Sequence, residues 1–135
     1  MTEEIHKFTK IWFLVAGFTT LSFSIAFFFL WDWFFIGIQQ WPFDDPGLVI
    51  LFGGAVLAFC TLNFFSFFQK KWSAVKIPLF TMLAWGYPGI IIELYIQFSI
   101  PGITNWNWFN TISYIVITLG FTLALFLQLK LKKAE

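Results

Sequence analysis

Glu93 is the only acidic side chain inside the long apolar stretches of this sequence. A charged group at the centre of a bilayer costs about 2.5 to 3.5 kcal/mol on insertion scales, and such groups usually face a cavity or a partner. Gln97, Tyr87 and tryptophan N–H groups are the hydrogen-bond partners we consider for its carboxylate. The pattern predicts a polar or ion-responsive site around Glu93. A purely structural, hydrogen-bonded glutamate is the alternative.

The residues around Glu93 also predict an irregular helix. Pro88 lies between Gly86 and Gly89, and a proline inside a helix removes one backbone hydrogen bond and crowds the preceding turn. We therefore expect a kink at this point. Spacings of three and four residues place Gly86, Gly89, Glu93 and Gln97 on one face of the same helix.

Three aspartates accompany Glu93 in the parts of the chain that we assign to the outer side of the membrane. They are Asp32, Asp44 and Asp45, and no lysine or arginine occurs in those segments. If Glu93 faces inward beneath them, the four carboxylates form an acidic vestibule that attracts cations or a basic partner. In the simpler interpretation Asp32 ends a span, and Asp44 or Asp45 caps the helix that starts at Pro46.

The elements that carry these residues follow from charge and hydropathy. The lysines form three clusters around residues 7–10, 70–76 and 130–133, separated by apolar stretches. A bilayer core of about 30 Å needs about 20 helical residues. The chain has four such stretches, at residues 11–31, 46–68, 77–98 and 111–129. Because basic flanks stay in the cytoplasm, the sequence predicts an all-α, four-transmembrane-helix bundle in one domain, with both termini inside.

The segment from Asp32 to Asp45 is too short to span the membrane twice and too apolar to lie free in water. We predict that it is interfacial or re-entrant. Helices in a membrane associate through small residues. The sequence predicts helix contacts at Ala16, Gly17, Thr20 and Ser24, at Gly53, Gly54, Ala58 and Thr61, and at Thr111, Thr118 and Thr122. Asn110 is the expected N-cap of the fourth span.

Composition excludes several classes of function. The 135 residues are 59% hydrophobic and only 11% charged, which is far from a soluble domain and makes a nucleic-acid partner improbable. Cys60 is the only cysteine, and His6 is the only histidine and precedes the first span. We therefore expect no disulfide, no cysteine-based zinc site, no haem held by two histidines, and no cofactor, metal or catalytic group supplied by this chain alone.

In size and topology the chain resembles several small four-span groups. It lacks the first-span glutamate of the small multidrug transporters and the glycine-rich and arginine motifs of the fluoride channels. The order of acidic outer segment, basic middle loop and proline-bearing third span is similar to the layout of the sterol-isomerase-like EXPERA group.

Three functions follow as hypotheses. The first is a non-catalytic accessory or scaffold subunit that packs against lipid and other transmembrane subunits, or against copies of itself. The second is a small transporter or channel in which Glu93 responds to protons or cations, and the third is a lipid- or sterol-handling protein. The cell membrane is the expected location. The C-terminal Lys132-Lys133 pair resembles an endoplasmic-reticulum retrieval signal and keeps that membrane as an alternative.

Overall fold

The computed structural model of the chain describes residues 4–42 and 45–133. It is all-helical, with four long helices: α1 (Lys7–Phe29), α2 (Pro46–Phe68), α3 (Trp72–Ser99) and α4 (Trp108–Lys133). A π-helix (Asp32–Ile38) separates α1 from α2, and a short 3₁₀ turn (Asn105–Asn107) precedes α4. All four long helices are long and apolar enough to cross a membrane. The predicted number of helices with the length and hydropathy of a membrane span is therefore confirmed.

The helices pack as two close pairs. α1 lies along α2 and α4 lies along α3, while α1 and α4 contact each other and join the pairs. By contrast, α2 and α3 touch only sparsely, although a short link joins them in sequence. The bundle is therefore tight on three sides and loose on the fourth.

Backbone contacts place the three basic segments at one end of the bundle. Glu4 forms an isolated antiparallel bridge with Lys71, which joins the N-terminus to the α2–α3 link. The side chain of Gln128, near the end of α4, accepts from the His6 backbone N–H at 2.8 Å and donates to the Glu4 carbonyl at 2.8 Å. The lysine clusters therefore share one end, and its assignment to the cytoplasm stays a prediction.

The π-helix packs back onto the opposite end of the bundle. Phe35 is fully buried and stacks on Phe27 of α1, with their ring centroids 4.5 Å apart. Val49 and Val56 of α2 belong to the same apolar cluster. At the boundary of α2, Asp45 accepts from the Leu48 N–H at 3.1 Å, which confirms its predicted role as an N-cap. Whether the segment is interfacial or re-entrant stays a prediction.

The predicted contact face of α1 agrees with the structure. Ala16, Gly17 and Ser24 are buried, and Ser24 donates to the carbonyl of Gly53 on α2 at 3.2 Å. A Cβ at Gly17 would lie 3.1 Å from the ring of Phe64, which shows how closely the two helices approach.

Of the contacts predicted on α2, the one at Gly53 is confirmed, whereas those at Gly54, Ala58 and Thr61 are wrong. Gly54 and Ala58 are exposed, and nothing lies within 4 Å of a Cβ placed at Gly54. The buried face instead carries Gly53, Val56 and Cys60. Gly53 is the glycine that matters because a Cβ there would lie 3.0 Å from Phe27 on α1.

Between α3 and α4 the predicted faces meet. Gly86 is buried against Thr118, and a Cβ at Gly86 would overlap the threonine side chain. One turn further on, a Cβ at Gly89 would overlap the ring of Tyr114. α3 runs as one continuous helix through Pro78 and Pro88, and the expected kink at Pro88 stays a prediction.

Three helix starts differ from the prediction, the first being that of α1, which begins at Lys7 instead of Ile11. α3 begins at Trp72, before the predicted start at Ile77, because Trp72 and Val75 are buried in the apolar core instead of lying in a loop. α4 begins at Trp108, so Asn110 lies inside the helix and is not its N-cap.

Gly86→Ala tests the α3–α4 contact. Because the methyl group would overlap Thr118, we expect the free energy of unfolding to fall by about 1 to 3 kcal/mol. Gly54→Ala is the matched control, since open space surrounds that position, and it should cause no loss. Steric trapping in bicelles measures both values. Equal stability of the two variants would contradict the close α3–α4 approach.

Candidate functional site

A cluster of buried amides lies at the end of the bundle opposite the lysines. Gln39 donates to Asn110 Oδ1 at 3.1 Å, and Asn110 donates back to Gln39 Oε1 at 3.0 Å. Gln39 is fully buried and Asn110 is only 3% exposed. The reciprocal pair therefore fastens the residue that follows the π-helix to the first turn of α4.

A second step of the network reaches Glu93. Asn107, also fully buried, accepts at its Oδ1 from the Trp41 indole at 3.0 Å and from Asn110 at 3.3 Å. Its Nδ2 donates to Glu93 Oε2 at 3.5 Å, which is long for a hydrogen bond. One polar cluster thus joins three elements: the turn at residues 39–41, the helix α3, and the start of α4.

The local backbone explains how Gln39 reaches this position. Gln40 has a positive φ of 56°, which turns the chain sharply after the π-helix. The Thr104 backbone N–H then donates to the Gln39 carbonyl at 3.2 Å, and the Thr104 hydroxyl donates to the Ile38 carbonyl at 3.0 Å. The two segments on this end therefore hold each other in place.

Below this cluster lies a cavity of about 420 Å³ between the four helices. Glu93 lines it and is only 7% exposed. Phe52, Phe59 and Trp85 contribute aromatic surface, with the Trp85 ring centroid 4.9 Å from that of Phe59. The cavity is therefore mostly apolar, with a carboxylate near one end.

The cavity wall also includes residues with polar atoms that have no hydrogen-bond partner within residues 4–42 and 45–133. The Thr118 hydroxyl and the Trp31 indole N–H are buried without a hydrogen bond, and both residues line the cavity. Buried polar groups are nearly always paired, so these two atoms are exceptions.

The structure separates the residues that we had grouped with Glu93. Tyr87 is exposed, and its hydroxyl lies 2.8 Å from the Thr122 hydroxyl instead of near Glu93. Gln97 is half-buried, and its Oε1 is buried without a partner. Neither residue hydrogen bonds to Glu93 among the contacts of the described residues; Asn107 does.

The aspartates take different positions. Asp45 lines the cavity as well as capping α2, whereas Asp32 is exposed at the start of the π-helix. Asp44 lies outside the described residues. Within residues 4–42 and 45–133, no group of three or more His, Cys, Asp and Glu side chains is placed to hold a metal ion.

The sequence interpretation did not include Gln39 and Asn107 and assigned Asn110 a different role. The available signal was the presence of five amide side chains, two in residues 32–45 and three in residues 99–110, in a chain with so few polar side chains. In a membrane protein such side chains commonly bond across helices.

Comparisons with protein-family models, with curated proteins and with solved structures gave no match to this chain.

Asn110→Ala tests the amide cluster. The change leaves the buried Gln39 amide without its reciprocal partner, so we expect a loss of about 1 to 3 kcal/mol in the free energy of unfolding. Asn105→Ala, at an exposed position in the preceding turn, should stay within about 0.5 kcal/mol of the native protein. Steric trapping in bicelles is the measurement. A similar effect of both changes would show that the amide pair does not fasten the two segments.

Proposed function

We propose that this protein binds a small amphiphilic molecule that it takes up sideways from the bilayer, as a lipid-handling membrane protein. The observation that carries the proposal is the aromatic cavity of about 420 Å³, on the side of the bundle where α2 and α3 have few contacts. Its volume lies within the range of about 300 to 1,000 Å³ that is usual for sites of small molecules.

The position of the opening supports uptake from lipid. The exposed residues of the cavity wall include Leu48 on α2 and Ala84, Pro88 and Ile92 on α3. Leu48 is 62% exposed and Ile92 is 57% exposed, and both helices are apolar enough to span the bilayer. A molecule that passes between them therefore comes from the hydrocarbon, not from water.

The two ends of the cavity favour a binding site over a pore. At one end Trp31 and Trp41 contribute to its wall, and Trp41 is held by Asn107. Toward the lysine end, Phe13, Leu79 and Phe121 are fully buried in an apolar core. A filled core offers no polar route for ions, which is why we rank the channel hypothesis below lipid handling.

The accessory-subunit hypothesis receives no particular support. The exposed faces of the helices carry large apolar side chains, among them Leu51, Phe68 and Ile77. Such surfaces suit contact with lipid as well as they suit contact with another subunit. A built cavity is the more specific feature, and a subunit that only packs against neighbours does not require one.

Ala84→Phe tests the cavity directly. Ala84 is exposed at the opening, so the added ring should fill the entrance without disturbing the core. With an alkyl diazirine probe in nanodiscs, we expect native protein to be photolabelled on the cavity wall, including the peptide with Trp85. Labelling of these peptides should fall several-fold in Ala84→Phe.

Ala58→Phe is the matched control because Ala58 is exposed and does not belong to the cavity wall. Its labelling should equal that of the native protein. Labelling confined to the outer faces of the helices in the native protein, or unchanged labelling of the wall in Ala84→Phe, would contradict the proposed function.

A further inference from the structure

We propose that the molecule bound in the cavity is a lipophilic amine, whose ammonium group pairs with the Glu93 carboxylate while its hydrocarbon lies along the aromatic wall. The inference rests on the proposed function and deepens it by naming the chemical class of the ligand. It draws on the position of Glu93, on the charges of the chain and on the shape of the cavity.

The first argument is that Glu93 is buried with little support from the protein. Its Oε2 accepts one long hydrogen bond, from Asn107 Nδ2 at 3.5 Å, and the residue is 7% exposed. A buried carboxylate is costly unless it is paired and fully hydrogen bonded. The site is therefore suited to a ligand that supplies a positive charge and hydrogen-bond donors to the Glu93 carboxylate.

The second argument is that the chain has no cation to supply. The sequence contains no arginine, and no lysine occurs between Lys10 and Lys70 or between Lys76 and Lys130. Lys76 precedes Glu93 on the same helix by about 25 Å at 1.5 Å per residue. Asp45 also lines the cavity, where it is exposed and bonded to the Leu48 N–H, so the charge at issue is that of Glu93. This end of the cavity is therefore negative without a protein counter-charge, and an ammonium group is its complement.

The third argument concerns shape. From Glu93 the wall runs along α3 toward Trp85 for about 12 Å at 1.5 Å per residue. An extended decyl chain has a comparable length. Phe52 and Phe59 on α2 face Trp85, with ring centroids at 5.8 Å and 4.9 Å, and so provide an apolar surface opposite α3. The charge at one end and the aromatic surface beyond it match an amine with a single hydrocarbon chain.

The experiment compares radiolabelled decylamine with decanol, which share a chain and differ in the charged group. Equilibrium binding is measured on the full-length protein in nanodiscs of zwitterionic lipid, after subtraction of binding to empty nanodiscs. The native protein should prefer the amine by about tenfold or more, since hydrogen bonds between charged partners are about twice as strong as neutral ones. Glu93→Gln should abolish this preference.

Two further measurements keep the outcomes distinct. Decanol should bind Glu93→Gln as it binds the native protein, which shows that the cavity is intact. Asp32→Asn removes an exposed carboxylate that does not line the cavity and should leave the preference for the amine unchanged.

Equal binding of amine and alcohol by the native protein overturns the amine assignment while the proposed function stands. The amine assignment is also overturned if Glu93→Gln keeps the preference for decylamine or if Asp32→Asn loses it. In either case decylamine would be attracted by charges on the protein surface instead of by Glu93. Failure of the native protein to bind either probe overturns the proposed function itself.

Discussion

Close approach at glycines within the α1–α2 and α3–α4 pairs determines the arrangement of the rest of the bundle. On α3, Gly86 and Gly89 let the backbone lie against Thr118 and Tyr114 of α4, where side chains larger than hydrogen would overlap them. Between α1 and α2 the approach is close but less crowded, since a Cβ at Gly17 or Gly53 would lie 3.1 or 3.0 Å from its nearest neighbour. Because each pair is drawn together while α2 and α3 have few contacts, the bundle has a gap on its fourth side. The cavity is a consequence of this unequal packing.

The amide cluster turns that gap into a site with one closed end. Gln39 and Asn110 bond reciprocally, and Asn107 links them to Trp41 and Glu93. These amides are buried, so water does not replace a hydrogen bond that one of them loses. Their mutual hydrogen bonds therefore stabilise the fold. The cluster holds the π-helix region against one end of the cavity. In the proposed function, the ligand enters on the side between α2 and α3.

The four spans were readable from the sequence because bilayer thickness imposes a length and because lysines mark the ends of the apolar stretches. The helical face with Gly86, Gly89 and Glu93 was also readable, since glycine and glutamate are conspicuous there. The contact face of α2 was not, because helices that are apolar on all sides carry no amphipathic signal. Gly53 and Gly54 are equally small, and only the position of Phe27 on α1 distinguishes them.

The amide cluster escaped sequence reasoning for a different reason. Gln39 and Asn110 are 71 residues apart, and each has an adequate local explanation, as a polar loop residue or as a helix cap. Their pairing depends on the turn at Gln40, whose positive φ is unusual for a residue other than glycine. Tertiary geometry, not local preference, determined the role of these side chains. The cavity could not be predicted either, because it depends on which helices pack closely and which have few contacts.

The central claim is that a hydrocarbon chain enters between α2 and α3, and solution NMR of methyl-labelled protein in lipid nanodiscs tests it most directly. Val56 lines the cavity and is only 6% exposed, whereas the neighbouring Leu57 is 42% exposed on the outer face of α2. The account predicts nuclear Overhauser effects from acyl-chain protons, or from those of an added decyl amphiphile, to the methyl groups of both residues. Effects at Leu57 alone would show that no chain occupies the cavity and would contradict the account.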